Sequence, residues 1–90
     1  MTALHISAKD NKINFVNMLL SHGADVNAKN NYGSTALHFA VYSNSLEIIE
    51  TLISHGAKVN IQNDYGQTPF GYTTNEEIRK YLKSHGAKEN

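Results

Sequence analysis

The chain repeats itself with a period of 33 residues. The phrase Thr-Ala-Leu-His at residues 35–38 also stands one period earlier, at residues 2–5. Residues 2–33 and 35–66 are identical at 15 of 32 positions, which is far more than chance would give. A shortened third copy begins at Thr68. A tandem repeat of this length predicts small structural units that stack on one another and bury a shared core.

Each copy is predicted to form two short helices joined by a tight turn. In the middle copy, Thr35 is expected to cap a first helix over residues 36–42, because its hydroxyl can accept a free backbone N–H. Asn44 falls where a left-handed residue would end that helix, a conformation that Asn tolerates best after Gly. Ser45 or Asn44 is then expected to cap a second helix over residues 46–53. This helix is apolar around so much of its circumference that it must be buried on more than one side.

The repeated pattern Gly-x-Thr-x-Leu-His-x-Ala, followed by Leu-Glu-Ile-Ile and by Gly-Ala-x-Val-Asn, resembles the ankyrin repeat. The resemblance covers essentially the whole chain. It implies an all-α fold, a solenoid of stacked helix-turn-helix units with protruding β-turn hairpins. Two departures stand out. Asn30 and Asn63 occupy positions where the family usually has Asp, and Phe70-Gly71 replaces Leu-His in the last copy.

The chain is predicted to be a single domain over residues 1–90, with a partial first repeat at 1–29, a full repeat at 30–62 and a shortened capping repeat at 63–90. The first copy starts inside the repeat frame, so we expect the native protein to continue upstream. Nothing in the sequence would cover the face that carries Leu4 and Ile6.

The last copy is shorter because the spacing between successive His-Gly-Ala phrases falls from 33 to 30 residues. The lost residues lie between Tyr72 and Asn75, so we expect the end of the first helix to be trimmed. Residues 74–77, Thr-Asn-Glu-Glu, have the spacing of a capping box. The helix that follows carries many charges, which is what the outer face of a terminal capping repeat requires.

Composition excludes several functional classes. The chain has eight basic and eight acidic residues, so no net field draws it to nucleic acid or to an anionic membrane. It has no cysteine, and therefore no disulfide framework or thiolate nucleophile. No apolar run approaches the ~18 residues of a membrane span, and no signal peptide is visible. We expect an intracellular protein, cytoplasmic or nuclear, that binds neither nucleic acid nor membrane.

The five histidines do not indicate a metal site or a catalytic centre. His22, His55 and His85 are equivalent in successive copies, and neighbouring helices lie about 8–10 Å apart. Such a ladder cannot bring its nitrogens within the ~2 Å that zinc requires. For His5 and His38 the ankyrin resemblance implies hydrogen bonds to backbone within and between repeats. No cofactor, metal or catalytic residue is predicted, and the chain is not expected to be an enzyme.

Tyrosines give the clearest indication of a binding surface. Tyr32 and Tyr65 recur at the tip of the turn between copies, and Tyr42 ends the first helix of the middle copy. Tyrosine offers a rigid contact area with a polar end and is enriched at interfaces. The alternative is that each ring lies across a neighbouring turn and merely shields it.

The resemblance implies that hairpin tips and the exposed side of the first helices form a concave surface that binds a partner. Carried over to this chain, that surface comprises Lys9, Asp10, Asn31, Tyr32, Ser34, Tyr42, Ser43, Asp64, Tyr65 and Gln67. Asn27 and Asn60 match a position that can be β-hydroxylated in the family, although we favour a role in organising the hairpins.

The sequence therefore predicts a protein–protein interaction module, part of a longer ankyrin array, that binds another protein through its tips and concave face. The alternative is a structural spacer or a self-associating unit of a larger protein. A monomer is favoured over a homo-oligomer.

Overall fold

The computed structural model describes residues 1–88, which form five α-helices, one short 3-10 helix and no β-strand. The all-α repeat fold is therefore confirmed. The elements in chain order are α1 (Ala3–Lys9), α2 (Ile13–Ser21), α3 (Ala36–Tyr42), α4 (Leu46–Ser54), the 3-10 helix (Pro69–Tyr72) and α5 (Glu76–Ser84).

The helices are arranged in two layers. An inner layer consists of α1, α3 and the 3-10 helix, each packed against the next. The outer helices α2 and α4 pack against their own inner partners and against each other. This arrangement follows from the repeat, because no single pair of helices can bury all of its apolar residues without a neighbouring pair.

The core is continuous through all three copies. Its buried apolar side chains come from every helix, and those of α4 are the most completely enclosed. This confirms that α4 is buried on more than one side. The core residues are Leu4, Ala8, Val16, Leu20, Ala36, Leu37, Ala40, Val41, Ile48, Ile49, Leu52, Ala57, Phe70, Ile78 and Leu82.

Left-handed residues end the first helices, as predicted. Asn44 has φ of 55°, and its counterpart Asn11 has φ of 58°. The cap of α4 differs from the prediction. Ser45 occupies the N-cap position, but its hydroxyl is buried and forms no hydrogen bond with any residue from 1 to 88.

The cap of α5 also differs from the prediction. The capping residue is Asn75 and not Thr74, because the helix begins at Glu76. The Asn75 side chain accepts hydrogen bonds from the backbone N–H groups of Glu77 and Ile78. The predicted capping box at residues 74–77 therefore begins one residue before the actual cap.

The last copy is shortened at its first helix, as the spacing indicated, and only the 3-10 helix remains there. Its end is held by Thr73, whose hydroxyl donates to the Asn44 side chain at 2.8 Å. The buried Phe70 ring is covered by cations, with the Arg79 guanidinium 4.6 Å and the Lys83 ammonium 5.6 Å from its centroid. Charged side chains therefore lie over the apolar ring at this end of the stack.

The opposite end of the stack is apolar. Only part of the face that was predicted to be uncovered there is in fact exposed. Leu4 is buried, so the prediction that it lies on an uncovered face is wrong. Ile6, Phe15 and Met18 are about half exposed. One period later, the counterpart of Phe15 is Ile48, which is fully buried where the first copy packs against the second.

Candidate partner-binding surface

Asparagine side chains build the two turns at the tips. The carboxamide oxygen of Asn30 accepts from the backbone N–H groups of Tyr32 and Ser34, each at 2.9 Å. Asn63 does the same for Tyr65 and Gln67, at 2.9 and 3.0 Å. Asparagine therefore closes these turns, as an Asp at the same position would, through an acceptor oxygen placed two residues before the tip.

Each tip turn is completed by a glycine in the left-handed region, with φ of 76° at Gly33 and 74° at Gly66. The glycine N–H donates to the backbone carbonyl of the Asn that opens the turn. In the first tip, the Gly33 nitrogen lies 3.1 Å from the Asn30 carbonyl oxygen. These are the protruding β-turns expected from the sequence. They project a tyrosine from the position just before each glycine.

Tyr32 and Tyr65 stack on one another across the two tips. Their ring centroids are 6.4 Å apart and their planes are inclined by 23°. A backbone hydrogen bond from the N–H of Asp64 to the carbonyl of Tyr32, 2.8 Å long, joins the same two tips. The rings remain 59% and 71% exposed, so the stack shields only part of each ring and leaves the rest available to a partner.

A second aromatic group lies at the ends of the inner elements. Tyr42, at the end of α3, is 68% exposed, and its ring meets the edge of Tyr72 at 6.2 Å. The Tyr72 hydroxyl accepts from the Asn63 side chain at 2.7 Å and donates to the Gln67 side chain at 2.9 Å. Because Asn63 also closes the tip turn of Tyr65, one chain of contacts connects the tip tyrosines to Tyr42.

Most of the predicted surface residues are open to solvent. Lys9, Asp10, Asn31, Asp64 and Gln67 are exposed, like the three tyrosines. Ser43 is half-buried, and its hydroxyl donates to the carbonyl of Lys9 at 2.8 Å. Ser34 is only 6% exposed and its carbonyl is occupied by the His5 ring, so the expectation that it offers a contact surface is wrong.

Three residues of this surface were not predicted: Phe39, Gly71 and Tyr72. With Lys9 and Tyr42 they line a cavity at the ends of the inner elements. A signal was present in the sequence, since Gly71 replaces the repeat histidine directly beside the deletion. That signal marks a missing side chain, but it does not reveal which rings surround the space.

Buried histidines tie each inner helix to the next tip. The Nδ1 of His38 accepts from the Thr35 backbone N–H at 3.0 Å, so Nε2 carries the proton and donates to the carbonyl of Gln67 at 2.9 Å. His5 makes the equivalent contacts with Thr2 and with the carbonyl of Ser34. Burial lowers the pKa of His38 below its ordinary 6.5, and the nearby His5 adds to this effect against the backbone hydrogen bonds that raise it.

The other three histidines occupy helix ends. His22, His55 and His85 each place Nδ1 within 2.8–3.0 Å of the backbone carbonyl four residues earlier, to which it donates. Among residues 1–88, no group of three or more His, Cys, Asp or Glu side chains could hold a metal ion.

Asn27 and Asn60 connect successive copies. The Asn27 side chain donates to the carbonyl of Gly56 at 3.1 Å and accepts from the backbone N–H of Lys58 at 2.9 Å. Asn60 forms the same pair of bonds with Gly86 and Lys88. A side chain with both of its groups engaged in this way organises the loop of the next copy.

Comparison with known proteins identifies the repeat. A family model described as ankyrin repeats (3 copies) matches residues 1–63. No curated protein matches the chain. In the part of the chain that the structure describes, every helix is too short or too polar to span a bilayer.

Proposed function

Because the chain belongs to the ankyrin repeat family, we propose that it is a protein–protein interaction module that binds another protein through its tips and concave face. Ankyrin repeats are generally protein–protein interaction modules, and ankyrin repeat domains are typically non-catalytic. The proposal for this chain rests on the surface formed by Tyr32, Tyr42 and Tyr65, which we call the tyrosine face.

The observation that carries the proposal is the exposure of three large aromatic rings on one connected surface. A buried ring of this size contributes strongly to binding, and a hydroxyl at its outer end gives it a polar contact as well. Hydrogen bonds of Asn63 and the Tyr32–Tyr65 stack hold the surface in place before a partner arrives. Such pre-organisation reduces the entropy that binding must overcome.

Charge favours a protein over a polyanion as the partner. Lys9 is accompanied on this surface by Asp10 and Asp64, and the chain as a whole has no net charge. Ankyrin repeats are common in intracellular proteins, and we place this chain in the cytoplasm or nucleus. We further propose that it acts as a monomer within a longer array.

The proposal is tested by affinity capture from lysate of the source organism, with wild type beside a Tyr32→Ala/Tyr42→Ala/Tyr65→Ala variant. A matched control replaces two exposed apolar residues away from this face, Phe15→Ala and Met18→Ala. We expect a partner that wild type and the control retain and the triple variant loses. A partner retained equally by all three proteins would move the binding site elsewhere and overturn the proposal.

The alternative, a structural spacer or self-associating unit, is favoured by one observation. Ile6, Phe15 and Met18 are apolar and about half exposed at the first copy, while the counterpart of Phe15 one period later, Ile48, is fully buried. If the chain self-associates through this end, a second copy would bury Ile6, Phe15 and Met18. Light scattering decides this point. A mass of 10.0 kDa at high micromolar concentration excludes self-association, and a doubled mass that Phe15→Ser abolishes establishes it.

A further inference from the structure

A notch lies at the ends of the inner elements, next to the tip of the last copy. Lys9, Phe39, Tyr42, Gly71 and Tyr72 line it, and its volume is about 490 Å³. This volume lies in the range of ligand pockets, and it is large enough to enclose one or two side chains of a partner.

Two departures from the repeat adjoin the notch. Gly71 stands one period after His38, so the last copy carries no side chain at this position. The inner helix of the last copy is also reduced to a single 3-10 turn. A Cβ placed at Gly71 would meet no atom within 4 Å, which means that the position opens onto free space.

The aromatic part of the lining is pre-formed. Tyr72 is fixed by its hydrogen bonds with Asn63 and Gln67, and its ring also meets the edge of His38 at 5.5 Å. Phe39 is fixed in the same way by an edge contact with His5 at 5.7 Å. The Tyr42 hydroxyl forms no hydrogen bond within residues 1–88, so it is free to bond a backbone carbonyl of a bound segment.

Charge gives the notch a preference. Lys9 is the only charged residue of its lining, and its ammonium forms no ion pair with any carboxylate of the residues that the structure describes. Asp10 follows Lys9 in sequence but does not line the notch. An acidic group of a bound segment would therefore meet an unpaired cation at the edge of an aromatic cavity.

We propose that the notch binds an extended peptide segment in which an aromatic or large aliphatic side chain adjoins an acidic residue. The apolar side chain packs against the rings of Phe39, Tyr42 and Tyr72 beside Gly71, and the carboxylate pairs with Lys9. This assignment rests on the proposed function and names the chemistry of the partner at one point of the tyrosine face.

The test uses four blocked hexapeptides with central pairs Phe-Glu, Phe-Lys, Ala-Glu and Ala-Lys between glycines, titrated into the ¹⁵N-labelled chain. We expect the Phe-Glu peptide to shift the amides of Gly71 and Tyr72 saturably. The Phe-Lys peptide should bind about 1.4- to 5-fold more weakly, the range expected for one exposed charge pair. The Ala-Glu peptide should bind at least about tenfold more weakly, because it buries no ring.

Two variants separate the parts of the proposal. Lys9→Gln should remove the preference for Glu over Lys, and Gly71→Leu should fill the notch and abolish binding of every peptide. Gly71 has ordinary backbone angles and open space at its Cβ, so a side chain there should not disturb folding, which melting curves check. Phe15→Ala, an exposed position away from the tyrosine face, is the matched control and should leave peptide binding unchanged.

The outcomes distinguish this inference from the proposed function. Equal binding of the Phe-Glu and Phe-Lys peptides, or no saturable binding of any peptide, overturns the notch proposal. So does a captured partner that Gly71→Leu retains while the triple tyrosine variant loses it, although that result would support the tyrosine face as the binding surface.

Discussion

Individual side chains join the copies. The buried histidines show that such a link constrains the protonation state of the side chain that forms it. His38 uses one ring nitrogen as acceptor inside its own copy and the other as donor to the next tip. Only a ring that carries one proton can do both. The link between copies therefore depends on the protonation state of the ring.

We predict that stability falls as pH is lowered through about 6.5. The pKa of His38 is lowered in the folded chain, so the unfolded chain takes up a proton first and unfolding is favoured. The contribution of His38 to the free energy of unfolding is constant above the pKa of the unfolded chain. Below that pKa it falls with pH by at most about 1.4 kcal/mol per pH unit for one proton. Urea unfolding at several pH values measures it. His38→Gln should flatten the slope, whereas His55→Gln, at an exposed helix end, should leave it unchanged.

The two tip glycines allow a matched comparison of strain and crowding. Gly33 and Gly66 have nearly the same φ, so an alanine at either costs about 1–2 kcal/mol for the left-handed conformation. Only at Gly33 would a Cβ also meet neighbours, 2.8 Å from a side-chain oxygen of Asp64 and 3.2 Å from its backbone nitrogen.

Gly33→Ala should therefore destabilise the chain by about 1 kcal/mol or more beyond Gly66→Ala, the range of overpacking effects. Denaturant midpoints measured under identical conditions provide the comparison. Equal losses for the two substitutions would mean that the tip of the next copy does not crowd Gly33.

At the scale of elements, the turns between helices could largely be predicted from the sequence, but their hydrogen bonds could not. Asn44 was expected to be left-handed, and it is. The cap of α5 differs from expectation because capping depends on the residue at which a helix begins. Because α5 begins at Glu76, its cap is Asn75 and not the predicted Thr74. At α4 the expected Ser45 stands at the N-cap, but its hydroxyl forms no hydrogen bond among residues 1–88.

Asn11 and Asn44 give a second matched pair. Both are left-handed, but within residues 1–88 the Asn44 side chain accepts a hydrogen bond, from the Thr73 hydroxyl, and the Asn11 side chain accepts none. Asn44→Gly should cost about 0.5–1.5 kcal/mol for the lost bond, whereas Asn11→Gly should change stability by less than about 0.5 kcal/mol. Thermal unfolding of the two variants measures this, and equal midpoints would show that the bond to Thr73 contributes nothing.

At the scale of the whole molecule, the repeat period predicted the stacking of helix pairs, and the apolar pattern of residues 46–53 predicted the burial of α4. The surface was less predictable. Ser34 turned out to be buried because its carbonyl lies under the His5 ring, a contact between copies that no single repeat reveals. The notch was not foreseen because it is formed by three inner elements that are distant in sequence.

A comparison of core and tip tests this division of the molecule. Leu52 is fully buried, so Leu52→Ala should cost about 2–5 kcal/mol by leaving a cavity. Tyr65 is largely exposed, and Tyr65→Ala should cost less than about 0.5 kcal/mol. For a domain of this size each kcal/mol corresponds to a shift of about 4–8 °C in the melting midpoint. Equal shifts would show that buried and exposed faces have been assigned incorrectly.

Within residues 1–88, eight side-chain hydrogen bonds between copies join residues 26 to 34 positions apart, so each of them connects a copy to its immediate neighbour. A pull on the two ends of such a stack is carried from copy to copy, through these links and through the core that each copy shares with its neighbour. The copies would therefore detach in sequence under tension, with the weaker interface yielding first. The length of the chain under load would then report how many interfaces remain closed.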